Sequence, residues 1–328
     1  MFTKGKLLFL YCESLVHAGA GSGAGSIDLP IQREKITQWP IFQFSGLKGS
    51  LRDHYESLSA CNNDELFAIF GPDSMKNDSA NKPGNPADNS GAISLSDAML
   101  LLFPVGSLKG TFAYITCPLA VKRLVRGLKV IGMVDQRLTG AAGLSIRDQD
   151  ILLPSNNGPG PYQSILALSS NQVVLEESQF NAMPSSELKG LAQWIENCRP
   201  AQDIPWVNLP ERLAMVSDEM FKYFVEFSTE VLTRNRIDDQ TGTVKDGALW
   251  TEECLPREAL LYSFLLTCTP RKKNVKGLAS DHDVMKYVSE THAPTRIWLG
   301  GDVTGGRGLL RTFFASGKAG TTGGTPHV

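Results

Sequence analysis

Metal-ligand spacing is missing from this chain. Its six cysteines (Cys12, Cys61, Cys117, Cys198, Cys254 and Cys268) include no CxxC pair, which excludes a zinc ribbon and a disulfide framework. Cys12, Cys117 and Cys268 sit in apolar runs, as small core residues do, and the usage fits a reducing cytoplasm. Histidines number only five, and no His/Cys/Asp cluster or Ser/His/Asp set stands out. Long apolar runs are missing too. Leu7 to Tyr11 is broken by Cys12-Glu13, too short for a signal peptide or a membrane span. A cytoplasmic location with no membrane contact is expected. Strong positive charge is also absent. With 32 Lys and Arg against 34 Asp and Glu, the formal net charge is −2, which argues against nonspecific coating of nucleic acid. Local basic clusters remain: Lys122, Arg123, Arg126 and Lys129; Arg271, Lys272, Lys273 and Lys276; Arg296, Arg307, Arg311 and Lys318. Each reads equally as a groove wall or as a solvated face.

What is present is a core. Hydrophobic residues make up 42% of 328, enough for two domains or one core with large insertions. Lys6 to Val16 reads as a buried strand, and His17 to Ser26 as a glycine-rich loop. Leu47, Leu51, Tyr55 and Leu58 share one helical face, with Ser45 as the candidate cap. Asp73 to Gly91 is a polar tract that cannot bury enough apolar surface to order itself, so a mobile insertion is expected there. Thr111 to Cys117 reads as a strand, with Pro118 in the first turn of a helix running to about Leu128. Pro154 to Tyr162 reads as a loop, Ile165 to Leu175 as one or two strands, and Ser185 to Cys198 as a helix. Arg234 to Pro256 carries two turn signals, Gln-Thr-Gly and Lys-Asp-Gly, and reads as a protruding hairpin. A strand from Ala259 to Thr269, a helix from Asp281 to His292 and a strand from Leu309 to Phe314 follow. This mixture predicts an α+β fold with helices on one face of the sheet, of the ferredoxin-like kind.

Four constellations could carry chemistry. The first is the helix start at Ser45, with Lys48, Gly49 and Arg52. Free amides and the helix dipole attract anions there, and Lys48 and Arg52 share a face; an ordinary capped surface helix is the alternative. The second is Gly300 to Gly308, which holds Gly300, Gly301, Gly305, Gly306, Arg307 and Gly308. Its amides could form an anion nest, or the segment is a flexible hairpin. It is neither a Walker A loop nor a dinucleotide fingerprint. The third is Asp28 with His17, at opposite ends of the first glycine loop. RNA can be cut by its own 2′-hydroxyl, so one carboxylate acting as a base or as a magnesium ligand suffices. A turn or cap role for Asp28 remains open. The fourth is the hairpin with Ile237, Leu249 and Trp250, which could wedge between bases, meet a neighbouring subunit, or fold back on the core.

Taken in order, these segments resemble the RAMP-type backbone subunit of the type III-B CRISPR effector, the Cmr complex. The likeness rests on His17, Ser26-Ile-Asp-Leu-Pro-Ile-Gln-Arg-Glu34, Ser45-Gly-Leu-Lys-Gly-Ser-Leu-Arg52, the stretch from Gly91 to Pro118, and Leu299-Gly-Gly-Asp-Val-Thr-Gly-Gly-Arg-Gly-Leu309. It implies a ferredoxin-like, RRM-related palm with inserted loops over residues 1–233 and 257–328, and a β-hairpin thumb over residues 234–256. It further implies copies stacked into a filament along the CRISPR RNA, each thumb displacing a base pair of the guide–target duplex. Asp28 matches the residue associated with metal-dependent endoribonuclease cleavage of single-stranded target RNA, with Mg2+ or another divalent cation as cofactor. Lys48, Arg52, Lys109 and Arg307 would hold phosphates. Other implied partners are a large polymerase-like subunit, a small subunit and the RAMP subunits that cap the guide ends. One departure stands out: Phe44 occupies the place of a glycine that related sequences often carry. A non-catalytic RNA-binding scaffold of the same fold is the alternative, and a nucleotide-binding metabolic enzyme using the Gly300 loop is a more distant one.

Overall fold

The first strand, Lys4–Cys12, is apolar at consecutive positions and not at alternate ones, so it is buried on both faces. Leu8, Leu10 and Cys12 enter one hydrophobic cluster, and Leu7, Phe9 and Tyr11 enter another. This is the pattern of a central strand covered on two sides. The computed structural model describes residues 2–23, 25–72, 90–155, 164–168, 171–200 and 208–315. Most of the polar tract expected to be mobile, and most of the loop expected over residues 154–162, lie outside the described residues.

Lys4–Cys12 pairs antiparallel with Leu260–Thr267 on one side and Leu309–Phe314 on the other. Arg296–Trp298 continues the sheet beyond Leu309–Phe314. Beyond Leu260–Thr267 comes Ala98–Ser107, then Thr111–Thr116, Leu213–Met215, Asp150–Pro154, Ser178–Ser185 and Gln172–Leu175. The last of these meets Ala98–Ser107 again at Ser107 and Leu175, so this end of the sheet curls into a closed ring. Among the described residues of the strand region expected over Ile165 to Leu175, only Gln172–Leu175 forms a strand.

Helices cover both faces, which corrects the one-faced expectation. Phe44–Ser57 and Asp281–Lys286 pack on the first cluster through Leu47, Leu51, Tyr55 and Val284. Pro118–Val130 and Ser186–Cys198 pack on the second through Leu124, Leu128, Leu191 and Trp194. A fully buried Leu contributes about 1.5–3 kcal/mol relative to exposure. Gly127 lets Pro118–Val130 sit against the sheet, because a Cβ there would come within 2.2 Å of the Phe264 ring. The helix expected to reach His292 is α-helical only to Lys286 and then widens into a π turn over Tyr287–Thr291.

Glu230–Ile237 and Val244–Cys254 form a separate two-stranded sheet, hereafter the arm. Its pairing starts four residues before the expected hairpin, at Glu230 opposite Cys254. The Asp238–Thr243 segment makes the turn, with Thr243 accepting the Asp238 amide at 2.8 Å. Among the described residues no helix is long and apolar enough to cross a membrane.

Candidate active site at the base of the arm

The segment around Asp28 lies along the inner end of the arm. The Leu29 amide donates to the Thr251 carbonyl at 3.0 Å, and the Glu253 amide donates to the Leu29 carbonyl at 3.0 Å. Val16 and Leu255 exchange backbone bonds one step further in, at 3.0 and 2.9 Å. The two ends of the first glycine loop are thereby stitched to one strand. The same segment reaches the first helix, because the Gln43 amide donates to Gln32 Oε1 at 3.0 Å.

Asp28 is exposed, and its carboxylate is held by Thr251. Its Oδ2 accepts from the Thr251 amide at 2.7 Å and from the Thr251 hydroxyl at 2.9 Å. The Asp28 amide in turn donates to the same hydroxyl at 3.0 Å. The Thr251 amide, then its hydroxyl, hold the Asp28 carboxyl below its usual range, because both bonds favour the charged form. The site therefore presents an ionised carboxylate to solvent.

His17 is close by but walled in. Its Nδ1 lies 2.7 Å from the Glu253 carbonyl and 3.6 Å from Glu252 Oε1. A carbonyl only accepts, so Nδ1 carries a proton and Nε2 is the nitrogen left facing the loop. Gly19 leaves room for that ring, since a Cβ there would stand 2.8 Å from Nε2.

The terminal glycine loop packs on His17. The Gly301 amide donates to the His17 carbonyl at 2.9 Å, and a Cβ on Gly300, whose φ is +93°, would come within 2.4 Å of that oxygen. The anion-nest expectation is corrected here. The amides of Gly301, Gly305, Gly306, Arg307 and Gly308 all donate to backbone carbonyls of the chain itself. Arg307 is also committed, to Glu252 at 2.5 Å.

Two adjacent glutamates at the arm's base point to opposite sides, and both are buried, 3% and 2% exposed. Glu253 pairs with Arg33 at 2.5 Å and accepts from Thr229 and from the Ile31 amide. Glu252 pairs with Arg307 and, at 3.2 Å, with Arg234, which also reaches Asp302 at 2.6 Å. His17, Glu252 and Cys254 bring ligand-type atoms within 4.8 Å of one another. Arg307 already supplies the cation there, standing 3.5 Å from Cys254 Sγ. Burial pushes the Cys254 thiol up to about 11, and the guanidinium beside Glu252 and Cys254 occupies the place where a metal ion would sit. This cluster does not fit a metal.

The remaining expected residues lie elsewhere. Ser45 is not the helix cap. Gln43 holds the cap position without a side-chain bond, and the Phe44 amide is satisfied by Asp97 Oδ1 at 2.8 Å, a partner supplied from across the sheet. Ser45 and Gly49 are exposed. Burial, then the Arg52 charge, lower the Lys48 ammonium, which puts the two cations on one face. Arg52 also binds Glu56 at 2.8 Å and the Gly71 carbonyl at 3.0 Å. Lys109 sits on the turn at the ring and donates to the Ala167 carbonyl. Ile237 and Leu249 are exposed, 50% and 62%. Trp250 is half-buried and, one residue from Leu249, faces the other side of the arm. Thr251, Glu252, Glu253, Arg33 and Asp302 were not singled out from the sequence. The only signal was Trp250-Thr-Glu-Glu-Cys254, where two carboxylates run into an apolar stretch.

Residues 9–311 match the model of the RAMP superfamily. The chain is 31% identical over 332 residues to the CRISPR system Cmr endoribonuclease Cmr4 of Pyrococcus furiosus, covering 99% of each chain. It superposes on the crystal structure of oligomeric Cmr4 from Pyrococcus furiosus with a TM-score of 0.68 and 25% identity, over 96% of this chain and 98% of the other. A chain in the cryo-EM structure of the type III-B Cmr-beta complex bound to cognate target RNA shares the fold at 0.70, with 17% identity over 95% and 98%. The match across nearly the whole length, in a mixed α+β architecture, places this chain in the RAMP superfamily.

Proposed function

We propose that the chain is a guide-RNA-binding backbone subunit of a type III-B CRISPR effector complex. It oligomerises along the guide with other effector subunits and cuts bound single-stranded target RNA at regular intervals. The full-length likeness to a relative named as an endoribonuclease supports the assignment. The observation that carries the chemistry is the exposed, ionised Asp28 at the base of the arm. The strand order Leu309–Phe314, Lys4–Cys12, Leu260–Thr267, Ala98–Ser107 supports a ferredoxin-like palm, with Phe44–Ser57 and Asp281–Lys286 as its two helices. The arm, Glu230–Cys254, is the thumb, and its exposed Ile237 and Leu249 are the wedge candidates.

In this reading Asp28 takes the proton of the target's 2′-hydroxyl. The 2′-oxygen bonds to phosphorus, the bond from phosphorus to the 5′-oxygen breaks, and the leaving oxygen takes up a proton. A lowered carboxyl is fully ionised at neutral pH, at some cost in basicity. In the alternative role, a lone carboxylate fits a magnesium ion that draws its other ligands from water and RNA phosphate, and Asp28 would hold that ion instead of taking the proton. Such an ion would offset charge on the phosphate. His17, fixed by Glu253 and the Gly300 loop, holds the shape of the site and leaves Nε2 as a proton acceptor. Lys48 and Arg52 are proposed as the guide-backbone contact, with the exposed Ser45 and Gly49 allowing close approach.

The test is D28A in the complete, guide-loaded complex. Cleavage of a matching target is expected to vanish while guide and target binding persist. Unchanged cutting would remove Asp28 from the mechanism. Loss of guide binding would make it structural and favour the scaffold alternative.

A further inference from the structure

We infer that Thr251 is the positioning residue for the cleaving carboxylate, its hydroxyl fixing Asp28 at both side chain and main chain. This rests on Asp28 being that carboxylate. An exposed aspartate ordinarily samples several rotamers, and misplacement by about 1 Å can cost on the order of a hundredfold in rate. Here three hydrogen bonds join two residues 223 positions apart. The Thr251 hydroxyl makes two of them. It donates to Oδ2 at 2.9 Å and accepts the Asp28 amide at 3.0 Å, so it sets the side-chain torsion relative to the backbone. The Thr251 amide alone leaves that torsion with one restraint. Thr251 and Leu249 are two apart on one strand and share a face. The position of Asp28 is therefore tied to the exposed side of the arm that carries Leu249.

Valine copies the shape and strand preference of threonine without its hydroxyl, and serine keeps the hydroxyl. The guide-loaded complex is reconstituted with T251V, T251S and D28A. Single-turnover cleavage at saturating target and target affinity are measured separately. T251V is expected to slow cleavage roughly tenfold to a hundredfold, the range for a lost bond to a charged group, at unchanged target affinity. T251S is expected to stay near the wild-type rate. Wild-type cutting by T251V beside an inactive D28A overturns the inference alone. So does equal slowing by T251V and T251S, or a loss in T251V of target affinity instead of rate. Wild-type cutting by D28A overturns the reading of Asp28, and this inference with it.

Discussion

Toward its tip the arm exposes Ile237, Val244 and Leu249, whereas at its base Glu252, Glu253 and Cys254 lie buried. The outer half is a two-stranded ribbon, a form marginal by itself in water. The inner half is clamped on one side by the segment around Leu29 and on the other by Arg307, while Arg234 of the arm itself reaches out to Asp302. The outer half stays open, with three exposed apolar side chains among polar neighbours. Asp28 is mounted at the base, where main-chain bonds and ion pairs fix its neighbours.

The contrast is broken most severely from within. R33A would leave Glu253 buried with its ion partner gone, at a cost of about 3–5 kcal/mol, read as a lowered denaturation midpoint. A shift within the range of a surface substitution would mean that the inner half is not held by this pair. G300A comes next. Gly300 has φ +93°, and a Cβ would press on the His17 carbonyl. A loss of about 1–3 kcal/mol is expected, and a Tm equal to wild type would show that the loop can step aside from His17. The smallest effect belongs to the tip. L249A should change stability by no more than about 0.5 kcal/mol, and a larger loss would show that the tip is packed in the free protein.

Local signals in the sequence were enough for much of the fold. The apolar run at Leu7–Tyr11, the spacing Leu47, Leu51, Tyr55, and Pro118 at a helix start each act within one element, and each element formed there. The hairpin was legible from its turn residues, and the exposure of Asp28 from its loop. What could not be read was non-local. Asp97 caps a helix that starts 53 residues before it. Thr251 finds Asp28 across 223 residues. Helices on the second face follow from two-sided burial of the first strand, a pattern visible in its consecutive apolar residues, which do not say what covers each face. The glycine loop near the C-terminus was read for its free amides, and only the folded chain shows them spent on neighbouring carbonyls.

Leu29 joins the inner end of the arm through peptide groups, which no side-chain replacement short of proline removes. A tilt of the hairpin therefore drags the acid with it as one lever. In a row of stacked copies, the pitch at which neighbouring hairpins repeat would then also be the spacing between cuts, with no separate ruler.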